Sequence, residues 1–511
     1  MTSFGTPGET WIRRIFFVLA VLYVLPFWIV EYIPTVDGPC HTYNAWILRQ
    51  YANTEDFPLF QQYYGINTKP YPNWLGHGVM ALLMFVVPPL AAEKMLLSGY
   101  VLLLLFGIRY LVGAVWRDQR WLAFLAFAFP YNLTSQFGFY NFSLGVALFP
   151  WVLGFWWRHR ANPTLAFAAK INLLLWLCWF SHVVPFTLSL LAIAVLWLAT
   201  LRRDTWRRHL WHLPILLPQV ILPVWYFWDQ GTAARASKWP FGFSLHYLLN
   251  LDVLITFQPA QHRFAQAVAI TFAGLALLTL WRERYRDRRW REQDVFLLLA
   301  LLFTVVYFIS PNGMAGGSML KNRLSLFPWL LLIPWLSPRL GRTAQGAGLA
   351  ILALLAVLNL GFQIRWYDRL DGDIRRYLAG LEAVRPNSRL LPLLFKRNGQ
   401  GSEFPILTHA ASYAAIEKGL VDWDNYEATV EFFPTWFRPS APPPSIWKIE
   451  AAPDKLLVKP WRNSVDYVYT WGLPSGHPLR ERLKKYFVRI SDKNGGVLWE
   501  RRDPRRETRL D

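Results

Sequence analysis

Arg13-Arg14-Ile15-Phe16-Phe17-Val18-Leu19-Ala20-Val21-Leu22-Tyr23-Val24-Leu25-Pro26-Phe27-Trp28-Ile29-Val30, followed by Glu31-Tyr32-Ile33-Pro34-Thr35-Val36-Asp37-Gly38-Pro39-Cys40-His41, sets an apolar run between two arginines and a polar loop. Hydrocarbon about 30 Å thick needs roughly 20 apolar residues in a helix. Similar runs recur from Trp11 to about Arg365. No small-residue cleavage site follows Val30, so the first run reads as a retained span rather than a signal peptide.

Composition supports a polytopic membrane protein. The 511 residues are 54% hydrophobic and 17% charged, with 28 Trp and 36 Phe, where soluble domains are nearer one quarter charged. The net charge of +20 would suggest nucleic acid in a soluble chain, but the basic residues flank apolar spans, so no nucleic acid is expected as partner. Cys40 and Cys178 lie far apart in sequence and indicate neither a disulfide framework nor a cysteine metal site.

Later candidate spans are 76–90, 95–115, 121–137, 142–157, 165–180, 183–201, 210–228, 265–281, 295–310, 324–336 and 348–362. Some 11–13 transmembrane helices are expected, several of them short or broken by proline. Basic residues concentrate on the cytoplasmic side. The loops holding Arg117 and Arg120, Arg158 and Arg160, Arg202 to Arg208, Arg282 to Arg291, and Arg339 and Arg342 therefore place the N-terminus in the cytoplasm. Two full crossings between Gly76 and Val115 would put Arg117 and Arg120 on the wrong side, unless that stretch crosses once and breaks at Pro88-Pro89. The expected domains are 1–365, a membrane domain with a large first outer loop over 31–75, and 366–511, a small extracytoplasmic α/β domain. In the latter, Leu390 to Phe395 and Val465 to Thr470 read as strands and Ala410 to Gly419 as a helix. Phe487 to Ile490 and Val497 to Glu500 read as a hairpin around Asn494-Gly495-Gly496. The chain carries no phosphate-binding glycine loop, zinc-ligand spacing or nucleophile elbow.

Asp37 emerges where the chain leaves the first span, beside a Gly-Pro pair able to fix a sharp turn before a helix. An ordinary helix N-cap is the competing role. His41 lies four residues on, within reach of Asp37 if the turn is helical, and the polar loop ends at His77. A first span, an outer loop with an acid just beyond it, a second span preceded by a histidine, many further spans and an external C-terminal domain together resemble the GT-C glycosyltransferases. The closest likeness is to bacterial members of the protein mannosyltransferase and aminoarabinose transferase type. It covers most of the chain as architecture, with Asp37-Gly38-Pro39, His41 and His77 as its short motif.

The resemblance implies an inner-membrane, multi-pass transferase that moves a sugar from a polyprenyl-phosphate donor to a lipid, glycan or protein acceptor on the extracytoplasmic face. Attack by an acceptor hydroxyl needs a base, and Asp37, with His41 beside it, is the expected catalytic pair. The departing phosphate needs positive charge. Lys321 and Arg323, at the end of the Gly-rich loop from Ser310, are expected to supply it, with interfacial anchoring as the competing role. His77, Asn141 in the polar segment Tyr131 to Ser143, and His182 are expected at the substrate, while Asn132 is assigned to a helix end. A divalent metal is compatible with these residues but not required. A transporter or flippase of lipid-linked saccharides would place polar groups through mid-span positions, and a scaffold would merely display its outer domain. Clustering of the polar elements on one expected face favours the transferase.

Overall fold

The computed structural model describes residues 7–204, 206–230, 234–235, 237–282, 291–314 and 317–502. Most of the Arg282 to Arg291 run lies outside them. The chain forms two compact units, the first built of Met1–Trp28, Pro70–Leu75 and Leu97–Arg365, the second of Ile29–Lys69, Gly76–Leu96 and Trp366–Asp511.

Helices dominate the first unit. Among the described residues, five helical stretches are long and apolar enough to cross a membrane: Thr10–Trp28, Pro89–Val115, Gln261–Leu280, Glu292–Ile309 and Arg342–Leu381. Leu165–Ser181 and Val183–Ala199 are shorter apolar helices. Fewer long helices form than the 11–13 expected, and proline accounts for much of the difference. The stretch 210–228 divides into Trp206–Leu210, His212–Leu216 and Pro218–Gln230, because Pro214 and Pro218 have no N–H to continue a ladder. The stretch 121–137 is a 3-10 helix, Arg120–Ala128, then Leu133–Gln136 beyond Pro130. Its short second helix is started by Asn132, whose side chain accepts from the N–H groups of Thr134 and Ser135 at 2.9 and 3.2 Å. Between Gly76 and Val115 the chain forms Leu75–Leu83, then breaks before Pro89–Val115. Nine residues rising about 1.5 Å each span roughly half the thickness of the hydrocarbon.

The second unit holds a five-stranded sheet. Its order is Val421–Asp422, Arg389–Leu394, Tyr467–Trp471, Gly496–Arg501, Phe487–Lys493. The first three strands run parallel and the last two antiparallel to their neighbours. Arg389–Leu394 is an apolar run buried almost throughout, as parallel central strands are. The closing hairpin turns at Asn494 and Gly495, both with positive φ (56° and 90°), the pairing demanded by a two-residue turn whose twist matches its strands. A second, two-stranded ladder pairs Tyr64–Ile66 with Thr435–Phe437. Ala411–Lys418 is helical and ends at Gly419 in the left-handed conformation. The sheet unit thus includes two segments from early in the chain, Ile29–Lys69 and Gly76–Leu96, beyond the region 366–511.

Candidate functional site

In the second unit, the turn after Pro34 delivers Asp37 to the N-terminus of helix Gly38–Gln50, with Pro39 in the first turn, where its missing N–H costs nothing. The Asp37 side chain makes no cap hydrogen bond. Its carboxylate is used elsewhere: Oδ2 accepts from the Tyr426 hydroxyl at 3.0 Å, and Oδ1 lies 3.7 Å from His409 Nε2. Burial raises the Asp37 carboxyl to about 6, against the pull of His409 and His41 and of the Tyr426 hydrogen bond. His409 in turn approaches Asp424 Oδ2 through Nδ1 at 3.1 Å, so one imidazole bridges two buried carboxylates. Burial opposes charge on His409, but the neighbouring Cys40 and Asp424 outweigh it and raise the ring well above its ordinary range. The carboxylates of the Asp422-Trp423-Asp424 turn are ordered locally, with Ser412 Oγ donating to Asp422 Oδ2 at 2.7 Å and Asp424 N–H to Asp422 Oδ1 at 2.9 Å.

His41, one turn into the same helix, faces a second carboxylate. Its Nδ1 is 2.5 Å from Glu427 Oε1 and 3.2 Å from His77 Nε2. His77 Nε2 is 2.8 Å from Glu427 Oε2. All three residues are buried. Burial alone would push the Glu427 carboxyl up, but the two imidazoles outweigh it and hold the group at about 2. Glu427 correspondingly raises His41 against the effect of burial. Asn44 fixes the carboxylate from behind: its Nδ2 donates to Glu427 Oε2 at 3.0 Å and to Asn425 Oδ1 at 2.8 Å. His41, His77 and Glu427 present donor atoms close enough to share one metal ion, and so do His409, Asp424 and Glu450.

The remaining expected site residues lie in the first unit. Arg323 is in the short helix Leu320–Leu324. Its Nη1 is 2.6 Å from His182 Nε2, and its guanidinium sits over the rings of Phe139 and Phe142, 4.2 and 5.3 Å from their centroids. His182 begins helix Val183–Ala199 and accepts from Val184 N–H through Nδ1 at 3.1 Å. Arginine stays protonated, so the ring is asked to accept at both nitrogens, which neither neutral tautomer can do. Lys321 Nζ donates to the carbonyls of Tyr307 and Phe308 at 2.7 and 2.9 Å, at the C-terminal turn of helix Val295–Ile309, where a cation meets the negative end of the dipole. Asn141 Nδ2 donates to the carbonyl of Asn73 at 3.0 Å.

Asp37, His41 and His77 thus share one unit, and Lys321, Arg323, His182 and Asn141 the other. Of the residues that complete the Asp37 cluster, His409 and Asp424 read in the sequence as loop or element-end residues without a catalytic role, while Tyr426 and Glu427 did not stand out at all. The dense polar run Asp422-Trp423-Asp424-Asn425-Tyr426-Glu427 is the one feature that could have drawn attention to them.

No protein-family model and no curated protein matches the sequence. Among solved structures, the crystal structure of ArnT from Cupriavidus metallidurans in the apo state is similar over 97% of this chain and 98% of that chain, with a TM-score of 0.52 and 11% identity. The chain therefore has the fold of the aminoarabinose transferase ArnT, a GT-C glycosyltransferase.

Proposed function

We propose that the chain is a membrane glycosyltransferase that moves a sugar from a polyprenyl-phosphate donor to a lipid, glycan or protein acceptor, with inversion at the anomeric carbon. The observation that carries this reading is the state of Asp37: a buried carboxylate at a helix start that does not cap the helix and instead holds one hydroxyl, with an imidazole near its other oxygen. A group so placed suits a general base for an acceptor hydroxyl, a role worth typically about 10² to 10⁴ in rate. His41 is the second proposed catalytic residue, acting through its place on the same helix. The ArnT-like fold adds a precedent for the reaction class but none for the sugar.

Arg323 and Lys321 are proposed to hold the donor phosphate. The overcommitted His182 ring supports this: an anion at Arg323 would draw the guanidinium away and leave His182 Nε2 able to donate rather than accept. His182, Asn141 and His77 are proposed near the substrate, His77 acting through the Glu427 carboxylate that it contacts. In this scheme the protein lies in the inner membrane, with its N-terminus cytoplasmic and the region from Trp366 extracytoplasmic.

Purified protein incubated with a panel of radiolabelled polyprenyl-phosphate sugars tests the reading. Transfer, or slow hydrolysis of one donor, is expected. Inertness towards the whole panel, combined with net movement of lipid-linked saccharide across vesicles, would replace the transferase with a transporter. Reporter fusions after Trp366 and within Arg282 to Arg291 are expected on opposite sides of the membrane, and the same side for both would overturn the orientation.

A further inference from the structure

We infer that Arg109, Arg120 and Arg13 form a binding site for the phosphate headgroup of an anionic phospholipid. Arg109 belongs to the apolar helix Pro89–Val115 and lies about 9 Å before its end at 1.5 Å per residue. An arginine at that depth is costly unless its charge is answered. Its guanidinium stacks over Phe16, 4.9 Å from the ring centroid. That ring is itself fixed by Phe106, Phe124 and Phe127, whose centroids lie 5.7, 5.3 and 5.1 Å away. Stacking orients the guanidinium fork without satisfying it, and Nη1 is buried with no hydrogen-bond partner among the described residues. The charges that reach Arg109 there are those of Arg120 and Arg13, both cations.

Two exposed arginines thus converge on a half-buried one. Arg13 precedes Phe16 by one turn of helix Pro7–Leu22, which puts both on one face. Arg120 opens the 3-10 helix Arg120–Ala128 and lies against Gly113, where an added Cβ would stand 3.2 Å from its Nε. Gly113 follows Arg109 by one helical turn, so the Arg120 side chain crosses the face that carries Arg109. Like charges gathered without an acid repel one another, and the carboxylate next along the chain, Asp118, accepts instead from Gln119 Nε2 at 3.0 Å. A phosphate supplies the missing counter-charge, and guanidinium forks suit its oxygens. The surroundings favour lipid over solution as its source. Phe124 and Phe127, which pack on Phe16, also line an apolar crevice of about 270 Å³ with Phe264, Val268, Leu352 and Ala356. Headgroup charge and acyl chain are then both met within the first unit. The inference does not depend on the transferase reading; only its assignment to the cytoplasmic leaflet follows from the orientation proposed above.

Full-length protein, stripped of lipid in a neutral detergent, is titrated with short-chain phosphatidylglycerol, short-chain phosphatidylcholine or inorganic phosphate, and read by native mass spectrometry and thermal unfolding. One tightly held phosphatidylglycerol per chain and a raised unfolding midpoint are expected. Phosphatidylcholine, which has no net charge, and inorganic phosphate, which has no acyl chain, should each bind several-fold more weakly. Arg109→Gln should weaken phosphatidylglycerol binding roughly 10- to 100-fold, as loss of a charge-assisted bond does, and Arg109→Lys should recover part of it. Arg203→Gln, at an exposed arginine of another basic loop, should leave it nearly unchanged. Equal losses in Arg203→Gln and Arg109→Gln would make the cluster a diffuse positive surface that sets topology, and phosphatidylcholine bound as tightly as phosphatidylglycerol would leave only an acyl-chain crevice. Either result overturns the inference. Inorganic phosphate bound as tightly as the lipid would overturn the lipid source. Should Arg109→Gln not fold, the exposed Arg120 decides: Arg120→Gln must weaken phosphatidylglycerol binding several-fold, and unchanged binding overturns the site.

Discussion

Around Asp37, ionisable side chains face one another: a tyrosine and a histidine at one carboxylate, the same histidine at a second, two more histidines at a third. Around Lys321 and Arg323 the cations face backbone carbonyls, aromatic rings and an imidazole. Both regions bury charge, and burial is costly unless the charge is paired or hydrogen-bonded. The first meets that cost with protons that can be shared among acids and imidazoles, which is what acid–base chemistry uses. The contacts described for the second are with carbonyls, rings and an imidazole.

The sharpest way to break this contrast is at Asp37. Asp37→Asn keeps the shape and the contact with Tyr426 but removes the basic charge. Transfer should fall about 10²- to 10⁴-fold while thermal unfolding and donor binding stay near normal, as read with radiolabelled donor. Near-normal activity would reduce the cluster to a structural network.

Arg323 tests the other side. Arg323→Ala should lose about 1.5 to 3 kcal/mol of charge-assisted bonding, or roughly ten- to a hundredfold at limiting donor. Arg323→Lys should recover part of it, because a point charge cannot reproduce the guanidinium fork. Full recovery by lysine, with no change in apparent donor affinity for alanine, would leave Arg323 as an anchor.

Lys321 sharpens the division within its own region. Both of its described acceptors are carbonyls of one helix end, so Lys321→Met should lower stability by about 1 to 3 kcal/mol and change donor affinity less than Arg323→Ala does. A larger effect on donor than on the unfolding midpoint would promote Lys321 to the main phosphate ligand.

The smallest effect is expected at the Arg389–Asp466 pair, which is partly solvent-exposed and 2.7 Å long. Burial pushes Asp466 up, but Arg389 outweighs it and holds the carboxyl below its ordinary range. Its stabilisation, about 1 kcal/mol or less for a partly exposed pair, is therefore complete above the unfolded value of about 3.9 and disappears as pH falls through the lower folded value. The stability difference between the unmodified protein and Asp466→Asn should be constant near neutrality and close below about pH 4. A gap that instead changes between pH 5 and 8 would show coupling to the buried histidines.

The parts of the fold visible in the sequence are those governed by local periodicity. Leu390 to Phe395, Val465 to Thr470 and the Asn494-Gly495 turn announce a sheet through apolar runs and obligatory turn chemistry, and strands form at Arg389–Leu394, Tyr467–Trp471 and the hairpin. Span lengths were less legible, because Pro214, Pro218 and Pro130 break apolar stretches that hydropathy alone reads as continuous. Asp37 drew attention through its Gly-Pro neighbour at the end of a span. His409 and Asp424 read as non-catalytic loop residues and Glu427 was not marked at all, because a polar residue in a loop reads as solvated and nothing periodic links Asp37 to a histidine 372 positions later. Their burial follows from long-range pairings such as Tyr64 with Phe437, which a single sequence does not display.

The discontinuous make-up of the sheet unit has a consequence for synthesis. His77 and Glu427 are 350 residues apart, and at about 5 to 20 residues per second the ribosome needs on the order of 20 to 70 seconds between them. Throughout that interval the first loop has been made, but the carboxylate that its histidines contact has not. A nascent chain arrested before Glu427 should therefore leave the helices from Gly38 and Leu75 open to protease, and release of the arrest should close them together.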